Sequence, residues 1–465
     1  MMWRGKQRWP GSYVVVLLAG LALRLYFVRW QPHVEGDSFM YGELALNMLR
    51  HHVYGVMIAG NVHATLIRLP GYPLLMAACF ALFGQEHYAS VLYVQVALDL
   101  ATCWLLAALA RRLWGARAGF CALVLATLCP FTANFAAAAL TETVGLFCAA
   151  LALYAMERWK TALRDRCKAG QWAGVIGLAL AFGVLLRPDR ALVAVAIVPM
   201  MVWVAWRSSG DRKAGMMQVA LVCAVILLPL AVWTARNWRV FHVVQPLAPK
   251  SASDPGEFVS YGFQRWYRTW GIDFKSTYDI YWNYDGARLA ISDVPERAFD
   301  SDAQRAETAT LFERYNKIAL QRPEFDHDFR VLADQRIAAH PLQYYVLLPV
   351  ARVVNMWLRP RTDMLPLPLD WWRFGDHRLE SAVAAAFGAL NLAYLGLAAA
   401  GLWLWKREGW AGQQPLAWSM VAFVVLRSAM LLTLDNSEPR YTIDCYPVVI
   451  LLAALAVSGR RPAAD

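Results

Sequence analysis

The sequence predicts an all-α protein that crosses a membrane many times. Of its 465 residues 58% are hydrophobic and its mean hydropathy is +0.35, and both values exceed those of an ordinary soluble domain. Apolar runs long enough to cross a hydrocarbon layer of roughly 30 Å as helices recur along the chain. We count about ten such runs, at 13–30, 88–110, 117–134, 136–156, 171–186, 189–206, 214–234, 381–405, 415–434 and 443–458.

The basic residues predict which side of the membrane each loop occupies, because Lys and Arg resist translocation. The first run follows Arg4, Lys6 and Arg8, contains Arg24 and lacks a small-x-small cleavage site, which is typical of an uncleaved anchor with a cytoplasmic N-terminus. When the predicted spans alternate, the other basic loops fall on the same side: Arg111-Arg112, Arg158 to Lys168, Arg207 to Lys213, Lys406-Arg407 and Arg460-Arg461. Both termini are therefore expected in the cytoplasm.

Two further apolar segments are poor candidates for crossing. Segment 70–84 is short, and segment 341–358 is interrupted by Arg352 and Asn355. If either segment alone crossed, the basic loops beyond it would change sides. Both are predicted to be helices that lie on, or dip into, the outer face.

Composition divides the chain into three parts. A transmembrane module at 1–244 includes a first outer loop at 31–87, an extracytoplasmic domain follows at 245–380, and 381–465 returns to the membrane. The order predicts a helical bundle with an outer α or α/β domain inserted before its last helices.

The predicted outer domain has the Pro and charged residues of a small soluble domain, with helical patterns near 301–320 and 325–339. An aromatic and basic stretch at 261–282 precedes them. Its aromatic side chains are expected either to stack on a sugar or to lie at the membrane interface, where Trp and Tyr gather: Trp266, Tyr267, Trp270 and Trp282.

Several function classes lack support in the sequence. The topology accounts for most of the net charge of +11, so that charge does not indicate nucleic-acid binding. The eight cysteines form no CxxC pair, and neither a GxxxxGK phosphate loop nor a GxGxxG fingerprint is present. No cofactor is predicted with certainty; the one candidate is a divalent metal ion held by Asp37 and Glu142.

Asp37 opens a predicted amphipathic helix in the first outer loop. Residues 38–50 carry an apolar stripe at helical spacing, and Asp37 lies where the loop leaves the membrane. Its carboxylate either caps this helix or acts chemically. Glu142, in the short outer turn Thr141-Glu142-Thr143, is predicted at the same membrane level, either as a second functional carboxylate or as a solvated turn residue.

Four arginines are predicted on the outer face, although Lys and Arg are usually enriched on the cytoplasmic side. They are Arg68, Arg187, Arg236 and Arg440. Each alone is typical of an interfacial residue whose charge reaches for water. Together they predict a cage for phosphate, because guanidinium binds phosphate through paired, charge-assisted hydrogen bonds.

The order of these motifs resembles the integral-membrane GT-C glycosyltransferases. The motifs are a first span, the Asp37-x-x-x-Tyr41 helix, a basic-Pro-Gly-x-Pro segment from Arg68 to Gly84, Arg236-Asn237 after a middle span, and the late Glu438-x-Arg440-Tyr441. The closest likeness is to the polyprenyl-phosphate-sugar-dependent branch, which includes the protein O-mannosyltransferases and the aminoarabinose transferases of lipid A. It extends over about 1–240 and 381–458.

The resemblance implies a GT-C-like bundle that transfers a hexosyl or pentosyl group from undecaprenyl phosphate, with inversion, on the periplasmic face of a bacterial inner membrane. Asp37 matches the catalytic carboxylate, Arg68 the basic residue that meets the carrier phosphate, and Glu142 the second acidic position. The acceptor is then lipid A, another envelope glycan or a protein. One departure is that the aminoarabinose transferases carry their soluble domain at the C-terminus, whereas the predicted outer domain here is inserted at 245–380.

The residues support this chemistry independently. Sugar transfer needs a base for the acceptor proton, for which we choose Asp37, and cations for the departing phosphate, for which we choose Arg68, Arg236 and Arg440. Neighbouring polar side chains are expected to bind substrate: Tyr41, Tyr72, Glu438 and Tyr441.

Three other functions remain open. An O-antigen ligase or polymerase would transfer whole glycans, a transporter or flippase would place ionisable groups near mid-span, and a scaffold would need no site. The sequence predicts no nucleic-acid partner and leaves the oligomeric state undetermined.

Overall fold

The computed structural model describes residues 11–165, 167–208 and 212–459, except for the side chain of Ala411. Within these ranges the regular secondary structure is helical apart from one antiparallel hairpin, β1 (Gly55–Ile58) and β2 (Asn61–Ala64). The predicted all-α class is thus confirmed.

The helices in chain order are α1 (Gly11–Trp30), α2 (Asp37–His51), α3 (Gly71–Phe83), α4 (Tyr88–Trp114), α5 (Ala116–Thr127), α6 (Pro130–Phe135), α7 (Glu142–Arg164), α8 (Ala169–Leu186), α9 (Ala191–Arg207), α10 (Arg212–Phe241), α11 (Tyr261–Arg268), α12 (Phe274–Ser276), α13 (Asp302–Asn316), α14 (Pro323–Ala339), α15 (Leu348–Leu358), α16 (Arg378–Arg407), α17 (Gln414–Leu431), α18 (Arg440–Ile443) and α19 (Tyr446–Ser458). Short 3₁₀ and π turns join several of them.

Seven helical stretches in the described part of the chain are long and apolar enough to cross a membrane. They are α1, α4, α8, α9 with its preceding turn, α10, α16 and α17. All seven coincide with predicted spans, so the chain is a multi-span membrane protein. Of the three other predicted runs, two correspond to shorter apolar helices, α5 and α19.

The chain is not continuously helical across the predicted runs 117–134 and 136–156. Cys129 is extended because Pro130 follows it, and α6 then ends at Phe135. Residues 136–141 form turns and α7 begins only at Glu142. Apolar periodicity does not distinguish such a break from a continuous buried helix.

The described residues form two compact units. We call the first the bundle unit; it contains residues up to 252, 393–424 and 443 onwards. We call the second the insert unit; it contains residues 253–392 and 425–442.

Inside the bundle unit, α1 is joined to α4 by a fully buried ion pair. Arg24 Nε donates to Asp99 Oδ2 over 2.6 Å, and Arg24 Nη1 donates to the carbonyl of Thr127 at the end of α5. A charge inside an apolar bundle needs such partners. Arg24, which interrupts the first apolar run, therefore fastens three helices together.

The insert unit has an aromatic core. Trp266, Tyr267 and Trp270 are at most 1% exposed and pack with Phe263, Tyr315 and Phe329, among others. Both interpretations of these three side chains, sugar stacking and membrane interface, are therefore wrong. Trp282 is 43% exposed and stays open to either role. The aromatic rings bury the apolar area that this unit needs to fold.

Candidate active site

Asp37 is held at the start of α2 with its carboxylate towards Arg68. Gly36 precedes the helix with φ of 52°, a conformation that glycine adopts without strain. Arg68 Nη2 donates to Asp37 Oδ1 over 3.0 Å. The two side chains are 30% and 26% exposed, so the pair lies where a substrate can reach it.

The loop before α2 pairs with the turn before α7. The N–H of His33 donates to the carbonyl of Ala137 over 2.9 Å, and the N–H of Ala139 donates to the carbonyl of His33 over 3.0 Å. This short parallel bridge uses the backbone groups that a continuous helix through 136–141 would have paired. The bridge brings the Asp37 loop beside the residues that precede Glu142.

Glu142 is a buried carboxylate, not a solvated turn residue. It is 2% exposed, and Arg187 Nη1 donates to its Oε1 over 3.1 Å. Arg187 also pairs with Asp189 at 3.0 Å. Among the described residues, Glu142 Oε2 has no hydrogen-bond partner. A buried acceptor without a partner is costly, and a hydroxyl group that donated to it would remove that cost.

Tyr41 lies within electrostatic range of both ion pairs. Burial raises the pKa of its phenol, the carboxylates of Asp37 and Glu142 raise it further, and Arg68 and Arg187 oppose them. All four charges therefore act on one phenol. We call these five residues the acid–arginine cluster.

A ring contact and two buried hydrogen bonds link Tyr41 of this cluster to α3, α4 and the turn before α7. The ring of Tyr72 meets that of Tyr41 edge to face at 5.0 Å, and its hydroxyl donates to Gln95 Oε1 over 2.8 Å. The Gln95 amide donates in turn to the carbonyl of Ala138 over 2.6 Å. Gln95 was not predicted as a site residue, although an amide inside an apolar span was the available signal.

Gly71 allows α3 to begin against the end of α8. A Cβ at this position would lie 2.6 Å from the carbonyl carbon of Leu185 and 2.7 Å from its oxygen, and neither backbone atom can yield. Arg68 lies three residues before this contact and Arg187 two residues after Leu185. The close approach thus sets the separation of the two cluster arginines.

Arg236 is held by backbone groups and aromatic rings. Its guanidinium donates to the carbonyls of Thr65 and Tyr54, each over 2.8 Å, and lies 5.0 Å from the Trp233 ring centroid. Tyr54 in turn donates to the carbonyl of Arg68 over 3.0 Å. Arg236 therefore joins both ends of the β1–β2 hairpin to α10. Through Tyr54 it is also linked to the backbone of Arg68.

The late motif is gathered within the insert unit. Glu438 accepts hydrogen bonds from the side chains of Asn436, Arg440 and Tyr441, the last over 2.6 Å. Glu438 is 2% exposed, so its charge is stabilised by these three donors. The residues of the late motif therefore contact one another.

No group of three or more His, Cys, Asp or Glu side chains in the described ranges is placed to hold a metal ion. Asp37 and Glu142, the candidate metal pair, each accept a hydrogen bond from an arginine in this structure.

Comparison with known proteins supports the resemblance. Residues 64–233 match the family described as dolichyl-phosphate-mannose-protein mannosyltransferase. This stretch contains Arg68, Tyr72, Glu142 and Arg187 of the site. A comparison with curated sequences gives no match.

Among solved structures, the oligosaccharyltransferase of Archaeoglobus fulgidus in its apo form superposes with a TM-score of 0.50 at 14% identity, over 97% of this chain and 50% of that one. The same organism's oligosaccharyltransferase AglB, in complex with an inhibitory peptide and a dolichol-phosphate, gives 0.48 at 14% identity, over 97% and 51%. ArnT from Cupriavidus metallidurans bound to undecaprenyl phosphate gives 0.38 at 15% identity, over 96% and 78%.

The chain spans about half the length of the archaeal enzymes that it matches. The family match, together with the fold shared with the apo oligosaccharyltransferase, confirms the predicted resemblance to the GT-C glycosyltransferases and the predicted fold class.

Proposed function

We propose that this protein is a GT-C-type membrane glycosyltransferase that moves a sugar from a polyprenyl-phosphate donor to an acceptor on the extracytoplasmic face of a bacterial inner membrane. The observation that carries the proposal is the acid–arginine cluster, in which Asp37 faces Arg68 and Glu142 faces Arg187 around one buried phenol. The reaction requires a base, a cation that binds the phosphate and a hydrogen-bond acceptor for the hydroxyl groups of the sugar.

Asp37 is proposed as the base that takes the proton from the acceptor hydroxyl. Its carboxylate is accessible, at 30% exposed, whereas Glu142 is nearly enclosed. A general base must come within hydrogen-bond reach of the proton it removes, so the accessible carboxylate is better placed. The deprotonated acceptor would then attack the anomeric carbon from the side opposite the phosphate, with inversion.

Arg68 is proposed to bind the carrier phosphate. In the structure its guanidinium faces Asp37, and a phosphate oxygen can take the place of that carboxylate oxygen. Such an exchange would release Asp37 to accept the proton only when donor is present. The charge of Arg68 would stabilise the departing phosphate most strongly in the transition state.

The remaining predicted residues receive distinct roles in the proposal. Glu142 has one oxygen without a partner in the described structure, and this oxygen accepts a hydrogen bond from a hydroxyl group of the donor sugar. Arg236 supports Arg68 through Tyr54, since its own guanidinium is engaged by backbone carbonyls. Tyr41 and Tyr72 shape the cluster, and Arg440 with Glu438 and Tyr441 is a second polar group that binds substrate.

The proposed acceptor classes are lipid A, another envelope glycan and an envelope protein, and one experiment covers all three. We expect a deletion strain to lose the mass of one hexose or pentose from one of these fractions by mass spectrometry. The wild-type gene should restore it and the gene for Arg68→Ala should not. Unchanged masses in all three fractions of the deletion strain would contradict the proposal.

A further inference from the structure

The described part of the insert unit contains a buried arginine without a hydrogen-bond or ion-pair partner. Arg359, the residue after α15, is 8% exposed. Among the described residues its guanidinium makes no hydrogen bond and no ion pair, and its Nε is fully shielded from solvent. The charge lies over the ring of Phe274, with 5.1 Å from Cζ to the ring centroid. A cation–π contact compensates only part of the cost of removing a charge from water.

Arg336, another buried arginine of this unit, shows how such a charge can be satisfied. Arg336 is 3% exposed and donates to Thr269 Oγ1, Asp300 Oδ1 and the carbonyl of Arg297, each over 2.8 to 3.0 Å. Buried charges are normally paired in this way. Arg359 is also buried but has none of these partners in the described structure.

The segment that carries Arg359 is fixed on both sides. Arg361 donates to Asn391 Oδ1 over 3.1 Å, to the carbonyl of Pro439 over 3.0 Å and to Thr442 Oγ1 over 2.5 Å. These contacts hold residues 359–363 against the strip 439–442. The position of Arg359 is therefore set by its neighbours and does not depend on a bond of its own.

Arg359 shares one buried carboxylate with two other arginines. Arg359, Arg361 and Arg440 all act on Asp363, and Arg440 is paired with Glu438. The other nearby carboxylate, Asp273, is already paired with Arg297 and accepts the backbone N–H of Ser276. Burial lowers the pKa of Arg359, against the opposing effect of Asp363 and Asp273.

We propose that Arg359 binds a phosphate group in the insert unit, beside Arg361 and Arg440. A planar guanidinium with free donors matches the paired oxygens of phosphate, and binding would give Arg359 hydrogen-bonded acceptors. The inference goes beyond the proposed function, which places the donor phosphate on Arg68 in the bundle unit. The phosphate belongs either to a polyprenyl carrier or to a phosphorylated acceptor.

The test measures stabilisation of the full-length purified protein by inorganic phosphate, at constant ionic strength. Every variant carries Arg68→Ala, so that the phosphate site proposed in the bundle unit does not contribute. Phosphate should raise the unfolding temperature of this parent, because a ligand stabilises the state that it binds. Adding Arg359→Ala should raise, at least tenfold, the phosphate concentration that gives half of the maximal increase in unfolding temperature. Adding Arg322→Ala, which removes an exposed arginine of the same unit, should leave it unchanged.

A second variant keeps the test independent of how well Arg359→Ala folds. Asp363→Asn removes the one carboxylate near Arg359 that lacks an ion-pair partner in the described structure, so phosphate should bind as well or more tightly. Weaker phosphate binding by Asp363→Asn would contradict the proposal. So would an equal response of the Arg359→Ala and Arg322→Ala proteins, or the absence of any phosphate response in the parent.

Two competitors identify the source of the phosphate. Undecaprenyl phosphate in nanodiscs should displace inorganic phosphate if the carrier occupies Arg359, and a phosphorylated glucosamine disaccharide should displace it if the acceptor does. Displacement by neither competitor would overturn the proposal. Donor binding at Arg68 is measured separately, so the two proposals can fail independently.

Discussion

The ion pair between Asp37 and Arg68 contributes little to folding. Both side chains are more than a quarter exposed, and pairs of this kind contribute only about 0–1 kcal/mol to stability. Either residue can therefore be replaced with a small effect on the fold. Loss of function in such variants would report on chemistry or binding.

We expect Arg68→Ala to weaken binding of undecaprenyl phosphate roughly tenfold or more, because a charge-assisted hydrogen bond is lost. Arg68→Lys should retain part of the affinity, since a point charge still attracts phosphate. Titration of the lipid into purified protein measures both. An Arg68→Ala protein with parental affinity would remove this residue from the site.

Single motifs predicted some of these side chains and missed others for a physical reason. Asp37 and Arg68 stand beside strong local signals, a helix start and a Pro-Gly turn. Gln95 was missed, and Arg187 was predicted as one of four outer-face arginines but not as the partner of Glu142. Their contacts lie 43 and 45 residues away in the chain, with Ala138 and Glu142. Their roles depend on which helices pack together, and local spacing carries no such information.

At the level of helices and loops, the site depends on the start of α3. Gly71 is the point where α3 meets the end of α8, and Arg68 and Arg187 lie on either side of that contact in the chain. A sequence shows that Gly71 begins a helix, yet it does not show that a backbone carbonyl lies against it. The need for glycine here became visible only in the fold.

Gly71→Ala should disturb the cluster without altering any charged residue. The added methyl group would meet Leu185 at 2.6 to 2.7 Å, so α3 must move away from α8. We expect donor binding and transfer activity both to fall by about tenfold or more, because small misplacements of reacting groups are costly. Gly174→Ala is the control, since a Cβ there has open space around it. Equal activity of the two variants would refute this account.

The non-helical turn at 136–141 illustrates where prediction from periodicity ends. The segment is apolar throughout, from Ala136 to Leu140, and fits a membrane helix by composition. Its backbone instead pairs with His33, which lies more than 100 residues earlier. Long-range backbone pairing of this kind leaves no periodic signature.

For the molecule as a whole, composition predicted the fold class because the membrane imposes a strong constraint on sequence. Lipid offers no hydrogen bonds, so spanning segments must be apolar helices of sufficient length. Seven of the predicted spans appear as such helices in the described part of the chain. This constraint does not apply to the insert unit. Its buried Trp266 and Trp270 were predicted to be surface residues, because composition alone does not distinguish a core from an interface.

Orientation in the membrane is a prediction that follows from the one-sided basic loops. Residues 245–380 should be extracytoplasmic and both termini cytoplasmic. Phosphatase fusions near Gly262 should be active and fusions after Arg461 inactive. The reverse pattern would place the acid–arginine cluster on the wrong side for the proposed donor.

The central claim is that Asp37 is the catalytic base, and the transfer rate of purified Asp37→Asn protein tests it most directly. Gly36, not Asp37, is the N-cap of α2, and Asn has nearly the size of Asp, so folding and donor binding should survive. The amide cannot take the acceptor proton, so we expect the rate to fall roughly a hundredfold or more. Asp37→Glu should also be impaired, because a shift of about 1 Å in the reacting geometry has a similar effect. A folded Asp37→Asn enzyme that transfers sugar near the parental rate would contradict the assignment and point to Glu142 instead.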